Sequence, residues 1–434
     1  MTSRVWQKRS VADSVEETAS TASVMRVMNE RAVFERIRLL GPVSRPQLAE
    51  ATGLSKPTIS LALADLEQSG LVRHVGHRTG SSGRAALLYE MRPEAGWVIA
   101  IDVGRAWLRV ALANLAGDVV RRRQERSQSK DAQKLVAQIG AMASAIAEEA
   151  GRSYDDVTYT VVGSPGVVDE GSGALQLAGN LSGWSGPGVL GALRDRLGPS
   201  LAVENDINLA ALGEQAHGVG KGVSNFVFIS VGTGIGMGIV IDGQLHRGSR
   251  GAAGEIGFLP LGTGDGHADD ATKRRQQSLE GVASADAVVA NARRLGLRGV
   301  RTAKEVFEHA RQNDKAALTA VRLEAEHLAN AVAAIISVLD PEVVVLGGGI
   351  GRSGDLLVAP MTRRLEKLLP LRPPPVMVSS LGDDAVISGA LAIALARARE
   401  KVFTRAMLAS TDDGEPDAGE EATLPRKARL SARR

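Results

Sequence analysis

The run Phe226-Val227-Phe228-Ile229-Ser230-Val231-Gly232-Thr233-Gly234-Ile235-Gly236-Met237-Gly238 is an apolar stretch of strand length that passes directly into a glycine-rich turn. Its β-branched and aromatic residues suit a buried strand. The glycines allow two readings. They can form a tight turn within a sheet, or let bare backbone N–H groups approach a phosphate or nucleotide. Two other stretches share this form. Trp97-Val98-Ile99-Ala100-Ile101-Asp102-Val103-Gly104 closes on Asp-Val-Gly, and Val343-Val344-Val345-Leu346-Gly347-Gly348-Gly349 closes on three glycines. Three such junctions favour the binding reading and predict an α/β domain over residues 96–400.

Between the first two junctions lies Glu204-Asn205-Asp206, followed by the helical run Ile207 to Glu214. Asp206 has two possible roles. It can cap the helix and satisfy orphan N–H groups, or it can act as a general base toward a sugar hydroxyl while Asn205 bonds a neighbouring hydroxyl.

Upstream the pattern changes. Apolar residues Met25, Met28, Ala32, Val33, Ile37 and Leu40 repeat at helical spacing, and Gly41-Pro42 stops the run. Ser44 opens a second helix that ends at Gly53, and Ser55 caps a third, with Pro57 in its first turn. Leu71 to Val75 and Ala86 to Met91 read as a hairpin around the polar tip Gly80 to Arg84. Three helices and a hairpin make a winged helix-turn-helix over residues 24–92. Its third helix offers Ser55, Lys56, Thr58 and Ser60 to phosphates and base edges of double-stranded DNA. Arg78 and Arg84 flank the wing tip, where a guanidinium can clamp a phosphate or enter a minor groove. A three-helix interaction module without DNA is the plainer alternative.

Composition limits the rest. The 434 residues suffice for two or three domains, and the net charge of +3 says little about partners. Cysteine is absent, which excludes disulfides and thiolate metal sites. No stretch is apolar enough to span a membrane and no secretory leader is evident, so a cytoplasmic location is expected. Residues 1–23 are expected to form a disordered arm. Residues 401–434, acidic and then basic, are expected to form a disordered tail. Arg121-Arg122-Arg123 is expected in a solvated turn, Lys273-Arg274-Arg275 on the surface, and Leu323 to Leu339 as a core helix.

The larger region resembles the ROK family (repressor, open reading frame, kinase). The likeness rests on Ser164-Pro165-Gly166-Val167-Val168-Asp169, Asn180-Leu181-Ser182-Gly183-Trp184, Glu204 to Glu214, the Gly232 to Gly238 turn, Gly254-Glu255-Ile256-Gly257, Leu279-Glu280, Gly347 to Gly349 and Leu381 to Ala385. It implies a bilobal sugar-kinase fold of the actin-like ATPase type. It also implies sugar contacts from Asn180, Asn205, Asp206, Glu255 and Glu280, with Asp206 as the base in a kinase. Asp102 and Gly104, Gly232, Thr233, Gly234 and Gly236, and Gly347, Gly348 and Gly349 would line a nucleotide site. ROK members with a winged helix are similar to sugar-responsive repressors.

Two departures from the family pattern set the expected function. The family's first phosphate loop reads Asp-x-Gly-Gly-Thr, whereas here Arg105 and Ala106 follow Gly104. A bulky side chain replaces hydrogen and a hydroxyl is lost, so phosphoryl transfer is not expected. The family's histidine after Gly-Glu-x-Gly is Phe258, and the zinc-binding cysteines are missing, so no zinc is expected; His267 reads as a loop histidine. The expectation is a homodimeric or homotetrameric repressor of carbohydrate metabolism, binding operator DNA and a sugar effector, with no cofactor. The alternatives are an ATP- and Mg-dependent sugar kinase with a DNA-binding appendage, and a regulator that senses a protein partner.

Overall fold

A computed structural model describes residues 11–79, 85–128, 130–169, 174–177, 181–186, 188–261 and 277–412. They fall into two compact units. One holds the residues up to Ala95 together with those from Glu400 on, and the other is Gly96–Arg399.

The first unit begins with α1 (Val11–Leu40), followed by β1 (Val43–Ser44), α2 (Arg45–Thr52), α3 (Lys56–Gln68), β2 (Val72–Thr79) and β3 (Ala85–Met91). Helix α1 starts within the segment expected to be an arm. Gly53, at φ 72°, ends α2 in the left-handed conformation that glycine adopts without strain. β2 and β3 pair antiparallel, and β1 adds a third strand on β3 that local pattern did not signal. Val33, Phe34, Ile37, Leu48, Ile59, Leu63, Leu66 and Tyr89 form the interior.

The second unit carries β4 (Trp97–Val103), β5 (Trp107–Asn114), β6 (Val119–Arg126), α4 (Ala132–Glu148), β7 (Val157–Ser164), β8 (Val167–Asp169), β9 (Ala174–Gln176), α5 (Val189–Leu197), β10 (Leu201–Asn205) and α6 (Asp206–His217). It continues with β11 (Phe226–Val231), β12 (Ile235–Ile241), β13 (Gln244–Leu245), α7 (Leu279–Ala283), α8 (Ala285–Arg294), α9 (Ala303–Arg311) and α10 (Lys315–Leu339). The last elements are β14 (Val343–Gly347), α11 (Gly348–Gly351), α12 (Gly354–Leu368), β15 (Val376–Val378) and α13 (Ala385–Asp412). Helix α13 passes from the second unit into the first at residue 400, so 401–412 is helical where a disordered tail is expected from composition.

Two five-stranded sheets share one plan. Their orders are β10-β7-β4-β5-β6 and β13-β12-β11-β14-β15. In each, an antiparallel meander is extended by two strands parallel to its first. Both sheets are packed on apolar cores that include α4 and α5 on one side and α7 to α10 and α12 on the other. Arg121, Arg122 and Arg123 lie in the edge strand β6, not in a turn. Arg122 pairs with Asp384 at 2.6 Å, and Arg123 pairs with Glu125 and Glu149. Charged edges of this kind resist further strand pairing.

Candidate functional site

β10 delivers Asn205, and α6 begins on the next residue. Asn205 is the helix cap: its Oδ1 accepts from Ile207 N at 2.9 Å and Asn208 N at 3.0 Å. Its Nδ2 donates to the Gly166 carbonyl at 2.9 Å, which ties β10 to the Ser164–Gly166 turn. Capping therefore falls mainly to Asn205, although Asp206 Oδ1 also accepts from Ile207 N at 2.9 Å. Buried Trp184 donates its indole N–H to Ser164 Oγ at 2.8 Å and pins the Leu181–Trp184 segment beside β7.

Strand β12 lies across α6 because it lacks side chains there. A Cβ on Gly236 would collide with the Ile207 side chain, and one on Gly238 would sit 2.6 Å from Ala211 Cβ. Gly236 is thus a packing glycine. Gly254, at φ 93°, presses its backbone on Met237, whose N–H donates to the Gly254 carbonyl at 2.8 Å. That contact sets Glu255 beside the start of β12. Glu280, in the first turn of α7, accepts from Ile235 N at 3.3 Å, and a Cβ on Gly257 would sit 2.7 Å from the Ile235 carbonyl.

The carboxylates interact. Burial, then the charges of Asp102 and Glu255, push the Asp206 carboxyl up to about 7 despite its backbone donor. Burial and the charge of Glu280 raise Glu255. Neighbouring acidic groups whose carboxyls are raised by burial and by one another form the kind of cluster found at functional sites. The fold thus brings Asn205, Asp206, Glu255 and Glu280 together. Asn180 lies outside the described residues.

At the first glycine junction, buried Asp102 stands opposite Arg109 on β5, which donates to it through Nη1 at 2.9 Å. Burial raises the Asp102 carboxyl, and Arg109 opposes the rise. Gly104 allows the backbone to close on Trp107, and Arg105 and Ala106 are exposed at the hairpin tip. Arg109 was missed in the sequence, although a hairpin centred on 104–106 already sets it across from Asp102. Gly232, Thr233 and Gly234 form the tight turn between β11 and β12, closed by Gly232 N–H on the Gly234 carbonyl at 3.0 Å. A Cβ on Gly232 would be 3.8 Å from Gly349 N, so the second and third glycine junctions adjoin. Gly347 and Gly348 leave no room for a side chain, against Phe228 and the Val231 backbone. Phe258 is 63% exposed at the end of a short 3₁₀ turn, and His267 and Lys273 to Arg275 lie outside the described residues.

In the first unit, Ser55 caps α3, accepting from Thr58 N at 3.3 Å and sharing a hydrogen bond with Thr58 Oγ1 at 2.8 Å. Lys56 is exposed and Ser60 half-buried on the same helix. Arg84 lies outside the described residues, as does the side chain of Arg78, whose backbone pairs with Ala86.

The family model for ROK matches residues 98–397. A xylose repressor of Caldicellulosiruptor bescii is 25% identical over 389 residues, covering 86% of this chain and 96% of its own. A glucokinase of Halalkalibacterium halodurans is 31% identical over 312 residues, covering 68% of this chain and 93% of its own. Among solved structures, a ROK family transcriptional regulator homologous to the E. coli MLC protein has the same fold, with TM-score 0.71 at 22% identity over 89% of this chain and 99% of that one. A Streptomyces griseus glucokinase in complex with glucose and AMPPNP gives 0.57 at 27% identity over 69% of this chain and 99% of its own. With its repeated sheet plan and its matched motifs from β4 to α13, the chain belongs to the ROK family.

Proposed function

We propose that this chain is a sugar-responsive transcriptional regulator of carbohydrate metabolism, acting as a repressor. The first unit reads double-stranded operator DNA as a winged helix. The N-terminal turn of α3 (Ser55, Lys56, Thr58 and Ser60) enters the major groove, and Arg78 and Arg84 hold the backbone from the hairpin. Two copies in a homodimer or homotetramer match an operator of two-fold symmetry. The second unit takes a sugar on Asn180, Asn205, Asp206, Glu255 and Glu280, and the bound sugar favours one arrangement of the heads by its preference for that state.

One observation carries the choice of regulator over enzyme. The sugar-site acids are kept, while Asp102 in the first phosphate loop is occupied by Arg109 from its own sheet. Selection of bound fragments from genomic DNA, with and without D-xylose, D-glucose or N-acetylglucosamine, tests the reading. Enrichment of one sequence that a sugar alters supports it, and absence of any enriched sequence overturns it. Arg for Lys56 should hold affinity, whereas Lys56→Ala should reduce the salt slope by about one.

A sugar kinase is the second reading, favoured by an Asp206 carboxyl near neutrality, as a general base requires. ATP and Mg would then occupy the glycine junctions. Hexose-dependent ADP release that Asp206→Asn abolishes would establish it.

A further inference from the structure

Glu204 is the penultimate residue of β10, immediately before the Asn205–Asp206 pair, and both of its carboxylate oxygens are engaged. Oε1 accepts from Asn205 N at 2.9 Å and from Asn208 Nδ2 at 3.0 Å. Oε2 accepts from Arg247 Nε at 2.7 Å. The Glu204 side chain is 13% exposed and that of Arg247 is 47% exposed. Thus one end of the pair is held in the protein and the other reaches in from the surface.

Arg247 belongs to a different part of the site. It follows β13, and its carbonyl accepts from Ala253 N at 3.0 Å, closing a tight loop. Glu255 comes two residues after Ala253, and the Gly254 carbonyl is fastened to Met237 N at 2.8 Å. Gly251, at φ 73°, brings the tip of this loop against the Val168 backbone. The guanidinium therefore joins the backbone that presents Asn205 and Asp206 to the backbone that presents Glu255. Neither segment is bonded to the other by a strand ladder.

We infer that Arg247 is a positioning residue for the sugar site, acting through Glu204 to hold the two carboxylate-bearing segments in register. The inference rests on the sugar reading proposed above. Its physical basis is the order imposed before binding. A ligand that must bridge Asp206 and Glu255 loses affinity if it has to align them itself. The pair is charge-assisted and geometrically specific at Nε, so lysine replaces its charge but not its direction.

The test is calorimetric titration of the full chain with D-xylose, D-glucose and N-acetylglucosamine at low and high salt. Variants Arg247→Ala, Arg247→Lys, Glu204→Gln and the Arg247→Ala/Glu204→Gln double variant are compared with the wild type. For a half-exposed pair, the expected loss in Arg247→Ala is about three- to tenfold in affinity, with part recovered in Arg247→Lys. The double variant should lose no more than the worse single one, because both substitutions break one link. High salt should weaken the wild type toward Arg247→Ala and leave that variant nearly unchanged. Hydrogen exchange gives a readout that needs no sugar: the Asn205 amide should exchange faster in Arg247→Ala. Unchanged exchange there, wild-type affinity in Arg247→Ala, or additive losses in the double variant each overturn the positioning role alone. Silence of the wild type toward all three sugars overturns the sugar reading, and this inference with it.

Discussion

Asp102 and Arg109 face one another across β4 and β5, and the Arg109 guanidinium donates to the Asp102 carboxylate at 2.9 Å. The chain supplies its own cation to the acidic residue of the first glycine junction. The carboxylate is buried, and burial raises it above the ordinary range even with Arg109 present.

Removal of Arg109 leaves that carboxylate without its counter-charge. Arg109→Ala should destabilise the protein by about 3 kcal/mol at pH 7.5, the usual scale for a buried pair that loses one partner. The loss should shrink on acidification to pH 5, because a carboxyl already raised by burial takes up a proton more readily as pH falls and then needs the cation less. Thermal unfolding at the two pH values reads this directly. An equal loss at both would show that Arg109 acts by packing and not by charge.

Asp206 should make sugar binding depend on pH near neutrality. Its carboxyl is pushed up to about 7, mainly by burial and then by the charges of Asp102 and Glu255. A sugar hydroxyl donates better to the ionised form, so affinity should rise between pH 6 and 8 and then level off. For the ligand-free protein the sign is opposite. A carboxyl raised in the folded state costs stability as pH climbs from its ordinary value through about 7. Asp206→Asn should therefore flatten the binding profile and raise the melting temperature at pH 8 but not at pH 4. Calorimetry and thermal scans across this range check both halves.

Much of this arrangement was legible in the sequence. The glycine junctions marked the ends of β4, β11 and β14, and the Glu204 to Glu214 run marked a strand-to-helix turn, because local patterns encode both. Pairings between distant segments were not legible. Arg247 meets Glu204 across 43 positions, and nothing in either neighbourhood signals the other. The sequence setting of Gly236 reads as a phosphate loop and does not show that its bareness also serves the close approach of α6. Composition turns polar near residue 401, which is why the sequence alone places a tail over 401–434. Phe403 and Met407, four positions apart, continue an apolar stripe on α13 that Thr404 and Arg405 between them obscure.

That stripe matters to the first unit. Phe403 is 4% exposed, its ring stacks on Phe34 at 5.8 Å, and Arg31 lies over it at 5.6 Å while also pairing with Glu400. The end of α13 is therefore part of the wall of this unit. Phe403→Ala should cost about 3–5 kcal/mol, the range for a buried phenylalanine. Operator affinity should fall in the same variant, because α3 is held by the same α1 that Phe403 covers. Phe403→Leu should retain most of both. Normal stability and operator binding in Phe403→Ala would remove the C-terminal helix from the working head.

Glu324 offers a stability test away from every proposed site. It lies on α10, fully buried, and neither carboxylate oxygen has a hydrogen-bond partner among the described residues. Burial raises its carboxyl well above the ordinary range. His327, one turn away, is a poor counter-charge for it, since burial lowers that imidazole. With both oxygens unpaired and buried, the fold favours the neutral carboxyl of Glu324, and unfolding removes that preference. The folded state loses about 1.4 kcal/mol for each pH unit above the ordinary carboxyl value, until the raised value is reached. Glu324→Leu, similar in size and without polar atoms, removes that penalty and the unpaired oxygens together. Its melting temperature should exceed that of the wild type at pH 8 and approach it near pH 5. A gap that does not widen with pH would mean that the carboxyl is ionised and paired in solution.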